Sequence, residues 1–428
     1  MEFTTIKGFR DILPQEIPYW QNVEEKARSI LSMYGFREIR TPIMERTELF
    51  ARSIGADTDI VSKEMYTLTD SKGRGLTLRP EATASVTRAL IQSRLYQQGG
   101  VQKLFSIGPM FRHERPQKGR FRQFHQINAE LFGDGGPKSD AEIIFLATSL
   151  LEAFGLTGLT LHLNSIGCPQ CRPSFRAELR AYLMDKKDTL CADCQRRSET
   201  NPLRVFDCKV ETCKEVVKEA PVIAEYLCQD CENHFLGLRQ YLEGLPLPLV
   251  LDPRLVRGLD YYTRTTFEIQ TQKLGAQNAV IGGGRYDGLV RELGGPDLPG
   301  IGFAVGMERV ITLLMDTCKI EPEGADLFVA ALGDEAEKRA FTWIQQLRKM
   351  GFYVEQEYAP KSLKAQMKRA DRLGCKRALI VGQRELESGN AILRDMQSKQ
   401  QIEIELNGIV ERLAEILKGD TNTNAGTD

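Results

Sequence analysis

The chain has 428 residues, 42% hydrophobic and 27% charged, and its 57 basic and 58 acidic residues leave a formal charge of −1. That length exceeds what one ordinary core fills, so two or three domains of a soluble globular protein are expected. No stretch approaches the ~20 apolar residues of a membrane span and no apolar run follows the opening Met, so a cytoplasmic protein is expected, with near-zero charge leaving a local nucleic-acid patch open.

After "KGFRDILPQEIPYW", apolar residues recur at Trp20, Val23, Ala27, Ile30, Leu31 and Tyr34, the spacing of one helix face, and Gly35 ends the helix. "FREIRTPIM" alternates as a strand that stops at Pro42. Residues 76–96 open as a short strand and continue past Pro80 as a helix, where proline's missing N–H leaves no bond unmade. Residues 102–132 read as strand, loop, strand, and 139–155 as a helix. Between 166 and 245 strand patterns vanish and cysteines and charges appear, which marks a mostly helical insertion. Strand signals resume at "LVLDPRLVRGLDYYTRTTFEIQT". "GGGRYDGL" follows at 282, and "GIGFAVGMERVITLL" reads as a strand feeding a helix.

"KIEPEGA" at 319–325 is a linker. Beyond it "DLFVAAL", 334–350, "FYVEQEY", 362–373 and "RALIVG" alternate strand and helix, which predicts a small α/β domain on a mixed or parallel sheet. The polar residues 419–428 read as a disordered tail.

The segment "FRHERPQKGRFRQFHQIN" carries five basic residues and one acid in eighteen positions of a nearly neutral chain. Residues 109–114 and 120–130 fit antiparallel strands joined by "RPQKG", with Pro116 and Gly119 as turn residues. Regular alternation then puts Arg112, Glu114, Arg120, Arg122, Phe124, Gln126, Asn128 and Glu130 on one face. Such a face makes a poor core. It suits a ligand with phosphates, an ammonium group and a flat ring.

"FRHERPQKGRFRQF" resembles motif 2 of class II aminoacyl-tRNA synthetases, in the form found in histidyl-tRNA synthetases. Six further segments agree in order. "KGFRDILP" resembles that family's N-terminal signature, and "REIRTPIMERTELF" its motif 1. "TLRPEATA" resembles its amino-acid-binding segment. "LVRGLDYYTRTTFEI" and "GGGRYDGL" resemble its two histidine-specific motifs, and "GIGFAVGMERV" its motif 3. The family often has Gly where Ala82 stands and Thr where Phe9 stands.

The resemblance implies an α+β protein: a class II antiparallel sheet flanked by helices, a helical insertion and a C-terminal α/β anticodon-binding domain. Its parts would be a catalytic domain at 1–165 and 246–320, the Cys-rich insertion at 166–245, the anticodon-binding domain at 326–418 and the tail at 419–428. It implies that ATP, with Mg²⁺, activates L-histidine to histidyl-adenylate, and that the histidyl group then moves to the 3′ end of tRNA(His). Motif 1 implies a homodimer. By the same resemblance Arg112, Arg257 and Arg309 are catalytic, and Arg112, Glu114, Arg120, Phe124, Gly302, Gly306 and Arg309 hold ATP. Glu81, Thr83 and Gln126 would take the α-amino group of histidine and Glu130 and Tyr262 its imidazole, beside Tyr261, with Tyr286 closing the pocket. A site that pairs both imidazole nitrogens rejects apolar analogues, because its own polar groups would be left unpaired.

In the C-terminal domain Lys364, Lys368 and Arg372 repeat at four residues on one helix face, opposite Leu363, Met367 and Ala370, and offer an RNA-backbone contact. Eight of the ten cysteines fall between Cys168 and Cys231. Cys168-x-x-Cys171 and Cys191-x-x-Cys194 have zinc-ribbon-like spacing, which makes these four candidate ligands of a structural Zn²⁺. Cys208, Cys213, Cys228 and Cys231 form a second candidate set, and reduced thiols in a helical insertion are the plain alternative. The competing functional reading is a non-catalytic regulatory relative in histidine biosynthesis. Such relatives lack the C-terminal domain and drop active-site residues.

Overall fold

The computed structural model describes residues 3–55, 58–115, 119–274, 278–320 and 324–424, with side chains as far as 419. It divides into two units, Met1–Ile320 and Glu321–Asp428.

The first unit opens with helix α1 (Ile17–Met33), which buries Tyr19, Trp20, Val23, Ala27 and Leu31. Gly35, at φ +78°, then reverses the chain as only glycine does without strain. Short strands β1 (Arg37–Glu38) and β2 (Met44–Arg46), helix α2 (Thr47–Ile54), strands β3 (Thr67–Thr69) and β4 (Gly75–Leu78), and helix α3 (Thr83–Gln92) follow. The hairpin β5 (Gln102–Phe111) and β6 (Gln123–Phe132) leads to helix α4 (Pro137–Ala153) and strand β7 (Leu159–Ser165). The expected insertion is helical: α5 (Arg172–Asp185), α6 (Ala192–Thr200), α7 (Glu211–Lys218) and α8 (Gln229–Tyr241). The chain returns through β8 (Leu249–Leu251), β9 (Thr263–Thr271), β10 (Ala279–Arg285), α9 (Leu289–Glu292), β11 (Gly300–Gly306) and α10 (Met307–Thr317).

Among the described residues eight strands form one sheet in the order β1-β5-β6-β11-β10-β9-β7-β8, parallel only at its two edge pairs. Strand periodicity sorts its faces. Ile127, Ala129 and Leu131 of β6, Phe303 and Val305 of β11 and Phe267 and Ile269 of β9 pack with α1, α4 and α10 in the main core. Each fully buried Ile, Leu, Val or Phe among them contributes roughly 1.5–3 kcal/mol. The opposite face, carrying Gln126 and Glu130, is left for the site. The insertion has its own small core around Phe175, Leu179 and Leu183. Its last helix, α8, instead gives Leu238 to the main core.

In the second unit β12 (Leu327–Ala331), α11 (Asp334–Lys349), β13 (Val354–Gln356), α12 (Leu363–Arg372) and β14 (Arg377–Val381) follow the alternation expected from the sequence. Then come α13 (Gln383–Ser388), β15 (Asn390–Asp395), β16 (Gln401–Glu405) and α14 (Ile409–Asn424), which the sequence reading did not resolve. The sheet is mixed, in the order β13-β12-β14-β15-β16, parallel through β14 and antiparallel beyond it. The segment expected as a disordered tail from 419 is helical to Asn424. Ile409, Val410, Leu413 and Leu417 anchor α14, and a helix once nucleated extends at little cost.

Candidate active site

Four strands make the floor. Gln126 and Glu130 of β6 lie opposite Gly306 and Gly302 of β11, and Gly282 of β10 lies opposite Glu268 of β9. The glycines clear space for side chains lying flat on the sheet. A Cβ at Gly282 would collide with the Arg257 guanidinium. One at Gly284 would stand 2.6 Å from the Thr265 carbonyl oxygen and 2.9 Å from the Tyr262 ring, and one at Gly302 would strike the Glu130 carboxylate. Gly302 was expected to admit nucleotide, but the room it leaves is filled by Glu130.

A cleft of about 350 Å³ opens on this floor, lined by Arg112, Arg120, Arg257 and Arg309 with Glu114, Phe124, Gln126, Glu268 and Gly306. Arg112 donates from Nε to the Pro80 carbonyl at 2.8 Å and lies 5.4 Å from the Phe124 ring. Glu114 stands 3.9 Å from Arg112 and pairs with Arg120. Arg257 pairs with Glu268, while its buried Nε has no hydrogen-bond partner. Arg309 donates to the Ala279 carbonyl. Burial, and then the neighbouring Arg120, lowers the pKa of Arg309, and burial lowers that of Arg112. Burial also opposes the Arg257 charge, but Glu268, Tyr262 and Asp207 outweigh it and raise its pKa. Four cations thus converge on one cleft, an arrangement that calls for a polyanion.

Beside the cleft lies a buried pocket of acids and tyrosines. The Glu81 carboxylate accepts from the backbone N–H groups of Thr83 at 2.7 Å and Ala84 at 2.9 Å, satisfying orphan donors at the start of α3. Thr83 Oγ1 donates to Glu130 at 2.7 Å, and the Tyr286 hydroxyl donates to the other Glu130 oxygen. Burial raises the Glu81 pKa and pushes that of Glu130 up to about 8 against those two hydrogen bonds. Tyr261 packs against Tyr262 with ring centroids 4.7 Å apart and against Tyr286 at 5.7 Å. The buried Gln126 Oε1 has no partner.

Every site residue expected from the sequence except Arg122 and the cysteines lies in this cleft or pocket, or, like Gly302, directly beneath it. Arg122 was placed on the ligand face by assuming regular strands to 114 and from 120. The paired strands end at Phe111 and Gln123, and Arg122 turns away to donate to the carbonyls of Glu114 at 3.2 Å and Lys7 at 3.3 Å. Gly8, at φ +89°, lets the N-terminal segment cover it. The expected turn at Pro116 lies outside the described residues.

Three partners went unread in the sequence. Glu268 holds Arg257. Arg204, from the insertion, donates to the Arg257 carbonyl at 2.7 Å and pairs with Asp260 at 2.8 Å. Arg285, fully buried, pairs with Asp140, whose carboxylate also takes His234 Nε2 at 2.8 Å. Alternation in "TRTTFEIQT" puts Glu268 on the Thr266 face. The other two partners leave no local signal.

The cysteines gather differently from the expected sets. Cys168 and Cys171 meet Cys228 and Cys231, whereas Cys191 and Cys194 meet Cys208 and Cys213. The insertion folds back on itself, so its last cysteine pair returns to its first.

Six antiparallel strands carrying a cleft of arginines beside an acid–tyrosine pocket, with a separate α/β unit after them, define a class II aminoacyl-tRNA synthetase. Residues 8–310 match the family model for histidyl-tRNA synthetase, and residues 326–416 match that for an anticodon binding domain. The chain belongs to the histidyl-tRNA synthetase family.

It is 56% identical over 412 residues to a histidine–tRNA ligase of Desulfatibacillum aliphaticivorans, covering 96% of this chain and 98% of that one. It is 51% identical to one of Geobacter sulfurreducens, covering 94% and 97%. Apo histidyl-tRNA synthetase of S. aureus superposes with a TM-score of 0.81 at 34% identity, covering 96% of this chain and all of that one. The regulatory alternative is not favoured, because the C-terminal domain and the arginines of the cleft are present.

Proposed function

We infer that the chain is a histidine–tRNA ligase and that the cleft and pocket are its ATP and histidine subsites. Gln126 carries this assignment. Its unpartnered carbonyl oxygen lies on the floor between four arginines and the acid–tyrosine pocket, where the α-ammonium of histidine would donate to it while the carboxylate reaches the cleft.

An oxygen of the histidine carboxylate attacks the α-phosphorus of ATP, the bond to the β-phosphate breaks, and pyrophosphate leaves. Two anions meet, so the barrier falls only where fixed cations take up the charge. Arg112 and Arg257 would hold the α-phosphate from two sides, Arg309 the far phosphates, and Arg120 and Glu114 the nucleotide, with adenine against Phe124. Mg²⁺ comes with ATP as its phosphate counterion. The cleft carboxylates Glu114 and Glu268 already face arginines, so the phosphates themselves would supply most of its ligands. Glu81 and Thr83 would join Gln126 at the α-ammonium. Glu130 and Tyr262 would take the imidazole, with Tyr261 beside them and Tyr286 keeping Glu130 in place. A ribose hydroxyl at the tRNA 3′ end then attacks the carbonyl carbon and AMP leaves.

The second unit would grip tRNA through α12, and exposed Met44 and Leu68 on the small β2-β4-β3 sheet, with exposed Ile43 just before it, support a homodimer through motif 1. No helix of the described residues is long and apolar enough to cross a membrane, and we place the enzyme in the cytoplasm. Amino-acid-dependent exchange of pyrophosphate into ATP tests the reading. Exchange with histidine alone among the twenty amino acids is expected, and none with any amino acid from folded protein would overturn it.

A further inference from the structure

The insertion holds chemistry that the ligase reaction does not use. Its eight cysteines form two groups of four, and within each group all sulfurs lie within 4.8 Å of one another. Cys168 Sγ is 3.6 Å from Cys171 Sγ and 3.9 Å from Cys228 Sγ, and Cys191 Sγ is 3.8 Å from Cys208 Sγ. Four sulfurs set tetrahedrally at about 2.3 Å from one zinc ion stand ~3.8 Å apart. A disulfide needs about 2.05 Å.

Backbone donors already face these sulfurs. Cys171 Sγ accepts from the N–H of Cys228 at 3.1 Å, and Cys213 Sγ from that of Cys191 at 3.2 Å. Cys168 Sγ accepts from Gln170 at 3.4 Å and Cys208 Sγ from Val210 at 3.5 Å. Such bonds orient metal-bound thiolates. Apolar packing alone would bury the thiols but has no reason to aim four sulfurs at one point. Cys194 and Cys213 are fully buried within a core too slight to stabilise a separate lobe unaided.

We propose that the insertion holds two structural zinc ions, one in each group of four cysteines, and that they fix the insertion against the loop that carries Arg257 and Tyr262. Soft thiolates in a mononuclear tetrahedral set select Zn²⁺, and each ion displaces the thiol protons as it binds. The first group joins the start of α5 to the start of α8. Arg172, next to Cys171, donates from Nε to the Ile166 carbonyl at 3.2 Å and from Nη2 to the Tyr262 carbonyl. The second group brackets Arg204, which holds the Arg257 carbonyl and Asp260.

The test is zinc per chain in the full-length protein, by mass spectrometry of the metals. The wild type is expected to hold two. Cys171→Ser with Cys228→Ser, within one group, is expected to leave one. Cys171→Ser with Cys194→Ser, across groups, is expected to leave none. The reverse order would overturn the grouping in favour of sets taken in chain order. No zinc in the wild type, even after incubation with Zn²⁺ under reduction, would overturn the proposal, as would one ion per chain or iron in its place. Should the variants misfold, stepwise release by a mercurial on the wild type reads the same stoichiometry, four thiols per zinc freed. Stripping zinc is expected to speed amide exchange at Arg264, whose N–H bonds the Gly167 carbonyl at 2.9 Å, by about tenfold or more. Unchanged exchange there would overturn the link to the site.

Discussion

Gly282 lies under the guanidinium of Arg257 with no room between them for a β-carbon. The glycine therefore serves the arginine: it lets a cation lie on the sheet, where Glu268 then fixes it. Gly282→Ala should lift Arg257 off Glu268 and lower histidine-dependent pyrophosphate exchange on the order of 10- to 100-fold, approaching the ~10²–10³-fold loss expected for Arg257→Ala. Exchange at the wild-type rate in a folded Gly282→Ala enzyme would show that the arginine works from elsewhere.

Glu130 makes the pocket depend on pH. Its carboxyl titrates near pH 8 in the ligand-free protein because it is buried, against about 4.3 in an unfolded chain. The folded state holds this proton more tightly, so the stability that protonated Glu130 allows is complete below pH ~4.3 and is lost as pH rises to about 8. Glu130→Gln keeps the neutral shape and escapes that loss. In urea unfolding its advantage over wild type should grow from about pH 5 to 8, by on the order of a few kcal/mol, and then level off. Histidine activation should fall in the same variant. An advantage independent of pH would rule out the buried acid as its cause.

Beneath the pocket, Arg285 and Asp140 are both fully buried and paired, and His234 and Thr265 complete the network. Removing the Asp140 charge leaves Arg285 with Asp287, at 2.9 Å and partly exposed, in place of a fully buried acid, and leaves His234 and Thr265 without their carboxylate acceptor. Asp140→Asn should cost about 3–5 kcal/mol of unfolding free energy. A loss under ~1 kcal/mol would mean that the existing pair with Asp287 is enough to hold the buried arginine. Because Tyr286 follows Arg285 directly, weaker histidine binding should accompany the loss.

How much of this the sequence showed depends on the range of each interaction. Alternation along β6 put Gln126 and Glu130 on one face correctly, since strand pleat is local. It failed at Arg122, where the pairing stops at Phe111 and Gln123 and the pleat no longer governs. Arg112, Arg257 and Arg309 were legible through family motifs, whereas alternation gives the strand face of Glu268 but not its partner on a loop eleven residues earlier. Neighbouring cysteine pairs were grouped in chain order, but the fold brings Cys228 back to Cys168. Tertiary closure of that kind leaves no mark in spacing.

The second unit matches an anticodon binding domain, and the basic face of α12 allows a test that separates tRNA binding from chemistry. On α12, Lys364, Lys368 and Arg372 are exposed, while Gln366 and Ala370 are buried and Leu363 and Met367 pack half-buried against the sheet. Three cations on one solvent face suit a phosphate backbone, whose contacts release counterions and weaken as salt rises. Changing all three to alanine should raise the KM for tRNA roughly 10- to 100-fold at moderate salt and flatten its dependence on log salt by about two to three in slope. Pyrophosphate exchange needs no tRNA and should stay as in wild type, which distinguishes a lost contact from a damaged fold. Should aminoacylation keep its KM and its salt slope, the RNA would have to lie against another face of this unit.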